Sequence, residues 1–330
     1  MGGVAFRLEF ASMRAYFIRG ADRQTILELR DAAVPEPGPQ QMLVRVKAAG
    51  LNRGEFMTAP PAPKAAGTDA AGEVQKLGAG VTQFRIGARV MGRCPGAFAE
   101  YALMDARETM AVPDKLSWEE AAAVPIVFLV VYDMLVAQGR LEAGGWLLVT
   151  GITSGVGVAA LQTAKALGAK VIGTSGSAEK LAKLQPLGLD LALATRKPSF
   201  ADAVLKATSG KGANLCVNNV GGSVFAECVR ALAFEGRLAV VGYLDGVLKA
   251  EIDLDALHAK RLTLFGVSNK LRNAEQRAAT VRGFAEKVLP FIAEGRIKPL
   301  IDRVYPFDEL PAAKTRMEAN AHVGKIVVTL

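Results

Sequence analysis

The segment that decides the fold is VTGITSGVGVAALQTAKALGA, residues 149–169. It reads as the end of a strand, a glycine-rich turn and a helix with Leu161, Ala164 and Gly168 along one face. Gly151, Gly155 and Gly157 let the chain turn tightly, admit a pyrophosphate against the main chain and let the helix pack close to a sheet. The unpaired amides at the start of such a helix bind an anion. The spacing departs from GxGxxG because Ser154 stands where the middle glycine might be, so the turn taken alone also reads as purely structural. Strand before and helix after settle it as a dinucleotide cradle, with Gly151, Thr153, Ser154, Gly155, Val156 and Gly157 as cofactor contacts.

Downstream the same alternation continues. KVIGTSG, LALAT, ANLCVNNVG and RLAVVGYL read as strands, and AEKLAKLQPLG, SFADAVLKATSG and SVFAECVRALAFEG as the helices between them. Strand and helix in turn imply right-handed crossovers and a doubly wound parallel sheet, an α/β fold. A further apolar run, RLTLFGVS at 261–268, looks like an unprotected edge strand. Upstream, from Met13 to about Met110, short apolar runs broken by Gly and Pro predict a compact β domain. Ser117 with Glu120 three residues later predicts a capped helix start, which Pro125 interrupts or restarts. A helical stretch from Ala274 to Glu294 precedes IDRVYPFDEL, the helix PAAKTRMEAN and a last strand, GKIVVTL, that belongs with the β domain. The expected division is therefore 1–125 (with 1–12 a flexible tail), 126–269 for the α/β domain, and 270–330 returning to the first domain.

Composition narrows the chemistry. In 330 residues there are three cysteines and two histidines, so a four-cysteine zinc site is arithmetically impossible. Neither histidine has an HxH or HxxxH spacing, and no metal site is expected. Cys94, Cys216 and Cys228 form no CxxC pair, which points to a reducing, cytoplasmic setting. The net charge of +8 is spread without a basic run, consistent with a phosphorylated small molecule and not with nucleic acid. No apolar stretch reaches the roughly 20 residues of a membrane span.

An NAD site would place Asp or Glu at the end of the second strand. This chain has Thr174, Ser175, Gly176 and Ser177 there, with Lys180 on the following helix and Arg196 after the third strand. Removing a carboxylate and adding hydroxyls and cations favours a 2′-phosphate, hence NADPH. Lys180 and Arg196 also read as ordinary solvated charges.

GLN (50–52), GTDAAGEVQKLGAGV (67–81), SGVG (154–157), NNVGG (218–222) and HVGKIVV (322–328), in that order, resemble the zinc-independent quinone oxidoreductases of the medium-chain dehydrogenase/reductase superfamily. The resemblance runs from about Met13 to Leu330. It implies a GroES-like catalytic domain beside a Rossmann domain, and a metal-free NADPH-dependent reductase of quinones or other α,β-unsaturated carbonyls. Zinc relatives carry a histidine ligand where this chain has Thr68, followed by Asp69. The resemblance further implies Asn52 as a hydrogen-bond donor to substrate, Tyr132 and Val130 beside the nicotinamide, and cofactor contacts from Asn219, Gly242, Tyr243, Val267, Ser268, Asn269 and Asn320. It implies a homodimer through the edge strand near 261–268. Two rival functions stay open: an enal or enone reductase with little quinone activity, and an NADPH-binding protein of structural or regulatory duty.

Overall fold

A computed structural model describes residues 12–21, 24–57 and 60–330. The tail expected over 1–12 thus lies, except for Ser12, outside the described residues. The β domain begins with β1 (Met13–Ala21), β2 (Gln24–Ala32), β3 (Gln41–Gly50), the short helix α1 (Arg53–Met57) and β4 (Lys64–Ala65). It continues through β5 (Asp69–Leu77), β6 (Arg89–Arg93), β7 (Tyr101–Asp105) and β8 (Thr109–Ala111). Alternation along β3, with Met42, Val44 and Val46 buried, turns one face onto a core shared with Phe98, Met104 and Val328.

Two helices lead to the second domain. Ser117 caps α2 (Trp118–Ala122) in a reciprocal box with Glu120, as its spacing predicts. Pro125 opens α3 (Pro125–Tyr132), which runs on as a π-helical turn through Asp133–Ala137. The parallel sheet then forms from β9 (Trp146–Thr150), β10 (Lys170–Ser175), β11 (Leu191–Ala194), β12 (Ala213–Asn218), β13 (Leu232–Val240) and β14 (Thr263–Gly266). Their spatial order is β11-β10-β9-β12-β13-β14. This is the doubly wound arrangement, with its topological switch point between β9 and β12. The helices α4 (Gly155–Ala166), α5 (Ala178–Ala182), α6 (Ala201–Ala207), α7 (Phe225–Arg230) and α8 (Leu254–Ala259) make the crossovers.

One difference from expectation lies at SVFAECVRALAFEG. The helix ends at Arg230, and Leu232 pairs with Ala213 at the start of β13. Buried Leu232 and Ala233 are drawn into the sheet, and Glu235 takes a left-handed turn (φ 57°) to accommodate the irregular register.

α9 (Ala274–Lys287) and α10 (Leu289–Ala293) are split at Pro290 and pack in the same core as α3 and the parallel sheet. α9 touches the β domain through Arg277, which pairs with Glu108 at 2.8 Å, and the chain rejoins that domain's sheet at β15 (Ile301–Pro306). α11 (Leu310–Glu318) follows, and β16 (Lys325–Thr329) pairs antiparallel with β3. The C-terminal strand therefore closes the first domain's sheet, as the sequence suggests. Among the described residues, no helix is long and apolar enough to cross a membrane.

Candidate active site

The glycine-rich turn after β9 is tight, as its glycines predict. Gly151 adopts φ 63°, and Ser154 caps α4 by accepting from the Gly157 amide at 3.1 Å. The first-turn amides of Gly155 and Val156 have no intrahelical acceptor. A Cβ on Gly157 would lie 2.4 Å from the Ile152 carbonyl oxygen, so close contact between turn and helix requires glycine there. The C-terminal segment braces this turn: Gly324 donates to the Thr153 carbonyl at 3.1 Å. Asn219 is buried behind it, donating through its side chain to the Thr150 carbonyl at 3.0 Å.

At the end of β10, Thr174 and Ser175 are buried, and the Ser175 hydroxyl lies 3.5 Å from that of Thr153. Ser177 caps α5. Arg196 lies across Gly176, where an added Cβ would come within 2.5 Å of its Nε. Lys180 is engaged elsewhere. Its ammonium donates to the carbonyls of Asn320 and His322, tying α5 to the C-terminal loop, and burial lowers its pKa. Arg53, absent from the sequence expectations, donates to the Met317 carbonyl and to Asn320 Oδ1, both at 2.6 Å. A guanidinium thus reaches the Asn320 position from another part of the chain. His322 is pushed down to about 4 by burial, with Arg53 and Lys180 adding to the effect.

Between the domains lies a cleft of about 660 Å³ lined by Asn52, Glu55, Thr68, Arg93, Ile126 and Asn269, among others. The GLN and GTD motifs meet in it because β3 and β5 pair, bringing Gly50 opposite Asp69. Asn52 Nδ2 donates to Asp69 Oδ1 (2.7 Å), Glu55 Oε1 (3.0 Å) and Thr68 Oγ1 (3.1 Å). Thr68 donates in turn to Glu55 Oε1. Lys325 on β16 closes the network, donating to Asn52 Oδ1 and the Leu51 carbonyl, each at 2.8 Å, and lying 3.7 Å from Asp69 Oδ2. Asp69 is fully buried and Lys325 nearly so. Burial raises the pKa of Asp69, opposed by Lys325. Burial also raises Glu55 to about 8, and the Asp69 charge pushes the same way. The Cys94 thiol, buried nearby, is pushed up to about 12 and is no nucleophile.

Both amide hydrogens of Asn52 are committed to protein acceptors, so Asn52 organises the cluster. Tyr132 lies against α9, where a Cβ on Gly283 would come within 2.1 Å of its hydroxyl, and it is not among the residues lining the cleft. α3 is apolar all round, so the sequence offers no polar stripe to say which face meets the cleft. Val130 is half-buried on that helix, Val267 is buried, Ser268 is exposed, and Asn269 reaches the cleft. Gly242 follows β13, and Tyr243 beside it is half exposed. Glu55 and Lys325 were missed. The signal for Lys325 was a lone lysine inside the apolar run HVGKIVV.

The donor set does not suit zinc. Where a ligand would be needed there are an amide and a hydroxyl bonded to each other, with an ammonium 2.8 Å from the amide oxygen. Among the described residues, no group of three or more His, Cys, Asp or Glu could hold a metal ion.

Comparison with known proteins agrees with this architecture. Residues 38–114 match the family described as alcohol dehydrogenase GroES-like domain, and residues 155–281 the family described as zinc-binding dehydrogenase. The chain is 29% identical to the human protein named quinone oxidoreductase, over 96% of this chain and 98% of that one. It is also 29% identical to a mycocerosic acid synthase-like polyketide synthase of Mycobacterium tuberculosis over 96% of its length, but spans only 15% of that relative. A mycobacterial protein solved in complex with NADPH superposes with a TM-score of 0.86 at 26% identity, covering 97% of this chain and 100% of the other.

Proposed function

The chain belongs to the medium-chain dehydrogenase/reductase superfamily, and from that premise we propose that it is a zinc-independent, NADPH-dependent reductase of quinones or other α,β-unsaturated carbonyls. The observation that carries this reading is the Asn52–Glu55–Thr68–Asp69–Lys325 cluster, whose Asn52, Glu55 and Thr68 line the cleft with hydrogen bonds in place of a ligand set. Oxidising an alcohol calls for a Lewis acid or base to handle the hydroxyl. A conjugated acceptor needs only alignment, exclusion of water and a proton.

The cofactor, when bound, supplies a hydride. The amides of Gly155 and Val156 suit its pyrophosphate, and Arg196 with Ser175 and Ser177 suits a 2′-phosphate. Arg53, next to Asn320, adds a cation at the junction with the C-terminal loop. Asn269 and Val267, beyond the end of β14, belong to the nicotinamide end. A second reading, reduction of conjugated acids and their derivatives with little quinone activity, is favoured by Lys64, Arg93 and Lys270 at the cleft, since cations suit an acceptor with an anionic tail. We also propose a cytoplasmic homodimer paired through β14, an edge of the parallel sheet.

Turnover measured by loss of NADPH absorbance tests the reading, against quinones, 2-alkenals and 2-enoyl thioesters, with and without chelator. The expected outcome is chelator-resistant oxidation with at least one panel. Tight NADPH binding without oxidation in any panel would turn the protein into a cofactor-binding module. A light-scattering mass of one chain would dispose of the dimer.

A further inference from the structure

We propose that Arg93 selects the acceptor, its guanidinium taking a carboxylate that the acceptor carries apart from its conjugated carbonyl. The inference rests on the reductase reading above and narrows it to a substrate class: small enals, enones or quinones with a separate carboxylate.

Strand pairing aims Arg93 at the cleft. It ends β6 directly opposite Asp69 on β5, and residues opposed in an antiparallel pair extend to the same face. Asp69 belongs to the Asn52–Lys325 network on that face, so Arg93 stands one strand to the side of the network and lines the cleft. Its side chain is 39% exposed, which leaves the guanidinium open to a ligand.

What Arg93 lacks is a partner. Among the described residues its guanidinium donates no hydrogen bond, and its ion pair with Glu108, at 3.7 Å, is too long for one. Glu108 does not need it. Arg277 holds the buried Glu108 through both Nε and Nη2, each at 2.8 Å. The planar fork of Arg93 is therefore left with its N–H donors unspent.

The surrounding charge has the same sign. Lys64 on β4 and Lys270 after β14 also line the cleft, and neither makes an ion pair among the described residues. Among the described lining residues the one acid is Glu55, which accepts from Asn52 and Thr68. A cleft walled by one sign of charge concentrates ligands of the other. The phosphates of the cofactor suit the first turn of α4 and Arg196 beyond β11, both in the other domain, so the anion at Arg93 comes with the acceptor.

A guanidinium fork matches the two oxygens of a carboxylate, and a cleft of about 660 Å³ holds a small acceptor whole. The carboxylate is a second group on that acceptor, because one conjugated with the double bond would repel the arriving hydride.

Matched pairs of acceptors make the test, since their intrinsic reactivity cancels between wild type and variant. One pair is a 2-alkenal with a carboxylate at its far end and the methyl ester of the same aldehyde. The other is 2-butenoyl-coenzyme A and the uncharged 2-butenoyl-N-acetylcysteamine. In the wild type kcat/KM should favour the carboxylate aldehyde over its ester. In Arg93→Leu that ratio should drop about 30-fold, mostly through KM. Arg93→Lys keeps the charge without the fork and should recover part of the loss. Calorimetric titration of the saturated acid and its methyl ester into NADP-loaded protein reads the same preference without turnover. If the wild type turns over and the ratio is unchanged in Arg93→Leu, the proposal is overturned and the reductase reading stands. A drop confined to the coenzyme A pair overturns it as well, since the anion would then be a phosphate. If the wild type reduces nothing, the reductase reading falls, and the calorimetry alone decides whether Arg93 binds a carboxylate.

Discussion

The phosphate turn of the α/β domain and the polar cluster of the β domain touch at Lys325, whose side chain would lie 3.2 Å from a Cβ on Gly155. They are built by opposite means. The turn is main chain: glycines, amides and one capping hydroxyl within a few consecutive residues. The cluster is side chains, drawn from α1, β5 and β16, with Asn52 and Lys325 separated by 273 positions. Main-chain sites fail when something is added to them, and buried charge clusters fail when something is removed. The cluster should therefore show the larger single-residue effect.

Lys325→Met is expected to be the most damaging change. It strands the fully buried Asp69 without a counter-charge, which costs about 3–5 kcal/mol of stability. Adding Asp69→Asn should recover much of the loss, because two neutral groups need no compensation. Chemical denaturation of the two variants checks this. A Lys325→Met protein as stable as wild type would break the comparison, since the cluster would then not be held by charge.

Gly157→Ala tests the other side. Its Cβ would meet the backbone of Ile152 at 2.4 Å, so α4 must move, at about 2–3 kcal/mol, with loss of cofactor affinity. Gly155→Ala meets the stem of the buried Lys325 at 3.2 Å and the Gly324 carbonyl oxygen at 3.5 Å, so a shift of a few tenths of an ångström suffices and it should cost less, about 1 kcal/mol. Thermal denaturation and NADPH fluorescence titration would report both. Equal damage from the two would mean that glycine is needed throughout the turn and not at one packing point.

The same contrast explains what the sequence makes legible. VTGITSGVGV announces itself because turn, cap and helix start are neighbours along the chain, and the alternation of strand and helix implies a doubly wound parallel sheet through local rules. The Asn52–Asp69 contact follows from the pairing of β3 with β5, which a motif reading places only loosely. Glu55 looks like one more surface acid in RGEFM until α1 tucks its carboxyl behind Thr68. Tyr132 shows the reverse: it packs against α9, and an all-apolar helix gives no hint of which face is free. The capping box at Ser117 was legible to the residue because its bonds span three positions.

Cofactor choice gives a smaller effect. Arg196→Ala should weaken NADPH by about 2 kcal/mol, roughly 30-fold, and leave NADH unchanged, since only the 2′-phosphate is lost as a partner. Lys180→Ala should weaken both cofactors alike, because its ammonium holds the Asn320 and His322 carbonyls. Parallel titrations with the two nucleotides separate the roles. A selective NADPH loss in Lys180→Ala would return that lysine to the phosphate.

The smallest expected effect lies where the two regions are stitched together. His322 has its pKa lowered to about 4 by burial, with the Arg53 and Lys180 charges disfavouring the protonated ring. An unfolded histidine titrates near 6.5, so the unfolded chain binds the proton first as pH falls. The neutral ring therefore contributes stability that is whole above about 6.5 and is lost progressively as pH drops toward 4. By pH 5.5 the loss should be about 1 kcal/mol, discounted for the partial exposure of the ring. His322→Gln removes the titrating group, so its stability should fall less than the wild type's between pH 7 and pH 5.5. If the two curves stay parallel, His322 is solvated in the native protein, and the brace from the C-terminal loop to the phosphate turn is looser than its hydrogen bonds imply.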